Sequence, residues 1–479
     1  MIRQAASICL VFLFSLPVVA QNMLGVSTSP YGGTHSLYIN PAFAATSPHS
    51  FYLNVAAVNA HVSNNYVRYQ APFSLWQLAL GRVPREYQRP DGSVQFKTDY
   101  TGEILNDQLK SGTAWVEVRG PSALIKFGQG AAVGLTTRLR SAAQFRNASE
   151  QLLSLVRAGL EDETLYNIPS RDNQFSATTN TYAEIGLTLA IPILQDDYQQ
   201  LSIGATVKRL KGLTSGFLIN NGLSYRLRID EVNPNSVYLQ AESLNAELGY
   251  TTYLQEKGRS VTLRQLFDAN NPGQGWGADL GLSYQLMADD NPSKHMLRLG
   301  VALNDLGNIQ YKSQQYVQRY SINQTNRRFS QQDFDEVNGS EDAAQVIRNK
   351  LELTDADNQR QFTSGLPTTL SINADVRMSE GLYLSGTLLS NLRSKDAIAM
   401  YQPTLLAITP RLETPTLGIS IPLLYLNQAF MAGVSMRLGP VFIGSDNLIG
   451  LIGSTSNNLR PRGADIYAGF SFAGLRRNP

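Results

Sequence analysis

The chain has 479 residues, of which 43% are hydrophobic and 16% charged, against roughly 25% charged in soluble domains. Its 40 basic and 38 acidic residues nearly cancel, so there is no basic footprint for nucleic acid. A single cysteine, Cys9, excludes a disulfide framework and a thiolate metal site.

Taken in chain order, the first feature is an export signal. Arg3 precedes an apolar run over 8–16, and Val18-Val19-Ala20 places short residues before Gln21. This predicts a Sec signal peptide, residues 1–20, cleaved after Ala20. Residues 21–48 are turn-rich, with Pro30, Gly32, Gly33, Pro41 and Pro48, and read as a plug-like segment packed in or under a single following domain, 49–479.

From there a period of two dominates, which in a strand puts successive side chains on opposite faces. Strands are predicted over 51–62, 66–75, 114–127 and 131–140. The clearest hairpin covers 182–210. In it Ile185, Leu187, Leu189 and Ile191 face one way, and Glu184, Gly186, Thr188 and Ala190 the other. After a polar turn at 195–199, Leu201, Ile203, Ala205 and Val207 oppose Ser202, Gly204, Thr206 and Lys208. Further strands are predicted over 217–229, 236–254, 278–286, 297–303, 370–376, 382–388, 404–412, 417–426, 428–438 and 441–446. Ile466, Ala468, Phe470 and Phe472 mark the last. Short helices are predicted in the long connections, at 103–109, 152–160, 261–269 and 342–351; the rest of 306–365 reads as a polar insertion.

The best apolar stretch, 404–426, is interrupted by Pro410, Arg411, Glu413, Pro415 and Pro422, which rules it out as a helix in lipid. Short turns (195–199, 288–294, 378–381, 439–440) alternate with long polar connections (141–180, 255–275, 306–365), as in barrels that cross a membrane. Hydrocarbon leaves no unpaired backbone group satisfied, so such a sheet must close. The predicted fold class is therefore all-β, a transmembrane antiparallel β-barrel of about 14 strands (about 12–16, given boundary uncertainty) with short helices in its long loops. A soluble sandwich of this length would divide into several linked domains, and no linker is visible.

The chemistry-bearing residues are sparse. His35, His49, His61 and His295 fall in no zinc spacing. His61 with Ser63 and Asn64 is the nearest approach to a hydrolase, but the three lie along one strand or turn without a nucleophile elbow. Asp289-Asp290-Asn291 and Asp355-Ala356-Asp357-Asn358 lack the glycine and terminal glutamate of a calcium loop and read as solvated turns. No catalytic activity, cofactor or metal is expected. Tyr66, Tyr69, Phe73 and Trp76, with Phe470 and Phe472, predict part of an aromatic girdle; Trp115 and Trp276 fit packing between loop and barrel as well. Glu184, Lys208, Asp279, Arg298, Asp375 and Arg377 fall on the polar face and are candidate lumen charges. Their mixed signs predict pairing across a narrow interior, not a single-sign ring that selects ions.

Four short motifs carry a resemblance. Tyr31-Gly32-Gly33 with Asn40-Pro41-Ala42, just ahead of the first strand, resembles the N-terminal signature of outer-membrane barrels related to the FadL long-chain fatty-acid transporter. Gly275-Trp276-Gly277-Ala278-Asp279-Leu280-Gly281, Gly365-Leu366-Pro367 and Gly439-Pro440-Val441-Phe442-Ile443-Gly444 resemble a Bacteroidota outer-membrane family of unassigned function. Its relatives look like the PorV and PorP/SprF proteins of type IX secretion and gliding. The resemblance implies a FadL-like barrel with its N-terminal segment inside, set in the outer membrane of a diderm bacterium among lipid and lipopolysaccharide. It implies transport or binding of a small, hydrophobic molecule, with a closed barrel serving a surface or secretion partner as the alternative and an outer-membrane hydrolase as a minor one.

Overall fold

The structure, a computed structural model, describes residues 23–475 apart from 95, 129, 161–162, 234–235, 258–260, 289–290, 335–336, 338 and 395–396. The signal-peptide reading over 1–20 and the Asp289-Asp290 pair lie outside the described residues.

One 20-stranded antiparallel sheet organises the molecule. Its strands are β1 (His49–Asn64), β2 (Lys110–Arg119), β3 (Ser122–Phe127), β4 (Ala131–Ala148), β5 (Ser170–Gln195), β6 (Gln199–Ile229), β7 (Val237–Thr251), β8 (Gly273–Ala288), β9 (Asn291–Lys312) and β10 (Val317–Ser330). There follow β11 (Gln361–Gly365), β12 (Thr369–Ser379), β13 (Leu382–Asn391), β14 (Leu405–Glu413), β15 (Leu417–Ser420), β16 (Leu423–Leu426), β17 (Ala429–Ala432), β18 (Val434–Leu438), β19 (Val441–Ser445) and β20 (Gly463–Leu475). The first strand pairs with the last, His61 standing opposite Asp465 and Tyr52 opposite Ala473, so the sheet is a closed barrel. β2/β3, β11/β12, β15/β16 and β17/β18 are halves of interrupted staves, β7 and β10 stand outside the ring, and the ring contains 14 staves. Among the described residues no helix is long and apolar enough to cross a membrane.

The alternation has the sense that lipid requires. Ile185, Leu187 and Leu189 are 51–59% exposed on the outside, whereas Glu184 and Thr188 between them are buried within. The same inversion repeats at Leu280 and Leu282 against Asp279 and Ser283, and at Ile372 against Ser371 and Asn373. Phe470, Phe472 and Trp276 also lie outward, while Trp115 is buried.

Three of the strands expected from sequence, 66–75, 217–229 and 236–254, do not belong to the ring. Residues 66–75 supply only Val67–Tyr69, which pairs with Thr101–Glu103 in a separate two-stranded sheet; that pairing also replaces the helix expected from residue 103. Tyr69 and Phe73 are not girdle residues, because they pack with Ala71, Val83 and Tyr100 in a core of this insertion. Residues 217–229 are the upper half of β6, whose 31 residues extend about 100 Å at ~3.3 Å per residue, several times the ~9–11 residues that span a bilayer. Up to Gly212 β6 pairs with β8; from Gly216 it pairs with β7, and β7 in turn with β10. These upper strands form an extension on the long-loop side. Within the expected polar insertion, 317–330 is thus a strand.

Two helices cover the extension. In α1 (Glu150–Ala158) Ser149 caps the Leu152 nitrogen, Gly159 ends the helix at φ 84°, and Leu155 packs on Leu223, Tyr225, Leu227 and Ala241. In α2 (Ser340–Lys350) Ala344, with Leu351 just past the end, packs on Ala246, Leu248, Tyr320 and Ile322. A short helix at Leu263–Phe267 falls where 261–269 was expected.

Candidate functional site: the occupied lumen

The inside of the barrel is filled from its own N-terminus. Short turns Leu24–Ser27, Pro30–Tyr38 and Phe43–Thr46 carry few side-chain caps, and tethers to the barrel wall hold them in place. The Leu24 nitrogen donates to Asp446 Oδ2 (2.9 Å), and Ser420 donates to the Gly25 carbonyl (2.8 Å). Arg298 donates to the Thr28 carbonyl (2.6 Å) and Arg411 to its hydroxyl (3.0 Å). Asn304 reaches the Ile39 carbonyl (2.9 Å), and Lys126 the Ser47 carbonyl (2.7 Å). Arg119 and Arg138 each lie 4.3 Å from the Tyr38 ring, and Arg298 lies 4.4 Å from that of Phe43, close enough for cation–π attraction. Burial, and after it the Arg119 guanidinium 3.1 Å from Nδ1, hold the His35 imidazole well below its ordinary value, so Nδ1 accepts from Arg119.

Asn40, Pro41 and Ala42 occupy the tightest part of this seat. Asn40 donates to the Leu282 carbonyl (2.9 Å) and accepts from the Ala42 nitrogen (2.9 Å). A Cβ on Gly204 would stand 2.4 Å from the Ala42 nitrogen, and one on Gly281 2.0 Å from Asn40 Oδ1. Gly300 meets Phe43 in the same way. Glycine is required here by close approach of the segment, and Gly281 of the second motif thereby meets the first. Gly275 and Gly277 instead let β8 close on β9 around Gly307, whose φ is 135°. Gly439, at φ 55°, and Pro440 make the turn from β18 to β19, where the Pro440 carbonyl accepts from the Ser471 nitrogen (2.7 Å).

Above the segment the lumen is crossed by ion pairs. Glu184 pairs with Arg138 (2.8 Å), which also reaches Glu117 (3.0 Å). Lys208 bridges Asp279 (2.7 Å) and Asp305 (2.6 Å), and Asp305 also holds Arg140 (2.7 Å). Beside the segment and towards the short turns, against Thr28, Asp375 binds Arg411 (2.8 Å) and His295 (2.9 Å), with Arg298 at 3.5 Å. Arg377 is half-buried near the short turn. Glu117, Arg119, Arg138, Arg140, Asp305 and Arg411 were not singled out from sequence. Most sit on the inward register beside outward Val116, Val118 and Leu135, so the alternation marked them; Asp305, at φ 55° where the alternation breaks, carried no such signal. Asp446 and Asp465 have no lysine or arginine partner among the described residues; Asp465 Oδ2 is buried without a hydrogen bond. His61 is likewise buried with both ring nitrogens unpartnered, and Ser63 accepts from Asn427, so no hydrolytic triad is assembled there.

β6 gives the order of layers towards the long-loop side. Gly204 meets the N-terminal segment, and Lys208 lies in the ion pairs. Leu210 and Phe217 join Tyr182, Ile309, Tyr311, Phe362 and Leu366 in an apolar layer. Ile219 and Asn221 then line a cavity of about 500 Å³ whose other wall includes Asn308, Thr363, Arg393 and Ile398.

The model of a Family of unknown function (DUF5723) matches residues 41–446, the greater part of this barrel. The chain belongs to that family. No curated protein matches its sequence. Among solved structures it is similar to the TodX deltaS2S3 mutant monoaromatic hydrocarbon channel, at 12% identity and TM-score 0.40, over 96% of this chain and 100% of that one. The Ralstonia pickettii toluene transporter TbuX gives 10% identity and TM-score 0.40, with 97% and 100% covered. A Pseudomonas aeruginosa FadL homologue gives 9% identity and TM-score 0.24, with 95% and 97% covered.

Proposed function

We propose that this DUF5723 protein is an outer-membrane barrel, exported by a cleaved signal peptide, that binds a small molecule on its long-loop side and passes it through a lumen gated by the N-terminal segment. One observation carries the reading. Residues 24–47 are held by side-chain hydrogen bonds, cation–π contacts and packing, and no strand pairing joins them to the wall. Each such bond contributes a net ~0.5–1.5 kcal/mol, so the segment can shift in steps while the barrel ladder stays intact.

A disulfide lock tests this. A Cβ on Gly25 would lie 2.8 Å from that of Ser435, so Gly25→Cys with Ser435→Cys forms a crosslink after a small shift. The proposal expects proteoliposomes to take up labelled arabinose or benzoate when the pair is reduced, and to lose uptake on oxidation. Uptake indifferent to oxidation, or absent in the reduced protein, contradicts it.

A second reading, a closed barrel serving as a structural partner in a secretion or surface assembly, is favoured by the balanced ion pairs that fill the lumen and by the extension with its two helices. Gentle extraction from native membranes distinguishes it: a stable complex supports the assembly role, and a lone monomer in every extract counts against it.

A further inference from the structure

The outer wall changes character where β6, β8 and β9 leave the apolar belt. Val207 stands opposite Ala278, and Ala278 opposite Leu306, on the outward face. At the next outward position Arg209 faces Trp276, and Trp276 faces Asn308. Lys211, Gln274 and Gln310 form the row above. Parity fixes this face, since Ile203 and Val207 lead to Arg209 along β6, and Leu282 and Leu280 lead to Trp276 along β8. Lys208 and Leu210, between the outward residues, point into the lumen. At ~3.3 Å per residue and a tilt of ~40°, the strand from Gln199 at the short turn to Arg209 rises ~25 Å, and Lys211 stands ~5 Å higher. The apolar band of such barrels is ~25 Å tall, so both cations lie at its upper edge, on the long-loop side.

Trp276 is 61% exposed, and the Arg209 guanidinium lies 5.1 Å from its ring centroid. Arg209 donates to Gln274 Oε1 (2.8 Å) and to the Gly275 carbonyl (3.2 Å), which leaves most of its five N–H groups for another acceptor. Among the described residues the Lys211 ammonium makes only a 3.5 Å approach to the Asp268 carbonyl. The Asp268 carboxylate turns elsewhere, to the Tyr253 hydroxyl (2.8 Å) and the Asn270 nitrogen (2.9 Å). Asn308 and Gln310 are exposed beside the two cations.

We propose that Arg209 and Lys211 hold the phosphate of an anionic lipid of the outer leaflet, whose acyl chains lie on the belt below Trp276. The inference rests on the outer-membrane reading above and adds a lipid site on the wall. A guanidinium and an ammonium two residues apart on one face can share the oxygens of one phosphate through charge-assisted hydrogen bonds. A zwitterionic headgroup brings its own ammonium beside its phosphate, which these two cations repel, so the pair selects net negative charge. An exposed Trp ring belongs at the boundary between chains and headgroups, and its contact with Arg209 holds the guanidinium at that height. The Asn308 and Gln310 amides both donate and accept, as the hydroxyls of a sugar or glycerol headgroup require. A free phosphate would use the cations and leave Trp276 and Val207 bare, whereas a lipid covers both; the continuity with the belt commits the site to lipid.

The test is native mass spectrometry of the full chain in detergent, titrated with dioleoyl phosphatidate, dioleoyl phosphatidylcholine and inorganic phosphate. Phosphatidate is expected to bind at least ~10-fold more tightly than phosphatidylcholine, and inorganic phosphate at the same concentration not to displace it. Phosphatidate with brominated chains should quench tryptophan fluorescence saturably, and Trp276→Phe should remove the saturable part. Arg209→Gln combined with Lys211→Gln should reduce the preference to ~2-fold or less, with heat-modifiable migration unchanged. Because Arg209 also ties β8, Lys211→Glu is the second variant: it should weaken phosphatidate by ~10-fold and leave phosphatidylcholine as it was. Lys350→Gln, on α2 in the extension, should alter neither. Equal affinity for the two lipids, a preference that survives both variants, or full displacement by inorganic phosphate overturns the assignment. Lipid binding blind to the headgroup keeps the membrane reading and overturns this site; selection of phosphatidate without lock-sensitive uptake supports this site while overturning the gate.

Discussion

A Cβ on Gly204 would meet the backbone of Pro41 and Ala42 at 2.4–2.6 Å, whereas one on Gly386 would meet nothing within 4 Å. Gly204→Val should therefore overpack the seat of the N-terminal segment and cost about 1–3 kcal/mol in urea unfolding, with Gly386→Ala near neutral. Equal midpoints for the two would contradict the seating described. Arg411 is a sharper case, since it is fully buried between Asp375, Glu413 and Thr28. Arg411→Met leaves buried carboxylates without their cation and should cost ~3–5 kcal/mol, part of it regained when Asp375→Asn is added. A third residue, Glu103, ties the insertion to α1 through Tyr66, Ser154 and Arg157. Burial pushes its carboxyl up, but those donors outweigh burial and hold it below the ordinary glutamate value. A depressed carboxylate contributes stability above its unfolded value and loses it as pH falls through the folded one. Hydrogen exchange over 150–158 should accordingly quicken below the ordinary glutamate range, after correction for intrinsic rates, and already be quick at neutral pH in Glu103→Gln.

At the scale of elements, the extension and the barrel are separable. Leu155 anchors α1 to Leu223, Tyr225 and Leu227, so Leu155→Asp should release the helix and open the Arg157 bond to trypsin while heat-modifiable migration on a gel stays unchanged. Simultaneous loss of both would show that the extension supports the ring. This separability explains what the sequence conceals. Alternation over 182–208 arises because one face meets lipid, and alternation over 217–229 because one face meets α1 and α2; the two environments write the same pattern. β10 was missed because only Tyr320 and Ile322 along it are buried hydrophobics beyond Val317, too few for a period. The Tyr69–Phe73 cluster imitates a girdle because aromatics serve an insertion core equally well. The interior followed a similar rule. Which charges face inward was legible from parity, as at Glu184, Lys208, Asp279, Arg298 and Asp375. Which cation meets which carboxylate was not, because pairing crosses staves far apart in sequence, as Arg140 and Asp305 do. Nor did the sequence disclose the cavity, whose walls come from five strands and a loop.

For the whole molecule, the outward bands of leucine, isoleucine and valine close into a belt that water would not tolerate exposed, and the inward faces are neutralised by ion pairs and capped by the chain's own N-terminus. The central claim is that this N-terminal segment holds the pore shut, bracing the ion pairs and the apolar layer that the wall sends across it. Planar-bilayer conductance of a variant lacking residues 24–46, compared with the full chain, tests it most directly. The account predicts a nearly silent full-length protein and a shortened one that folds to the same heat-modifiable barrel and conducts steadily. A folded, shortened barrel as silent as the full chain would contradict it.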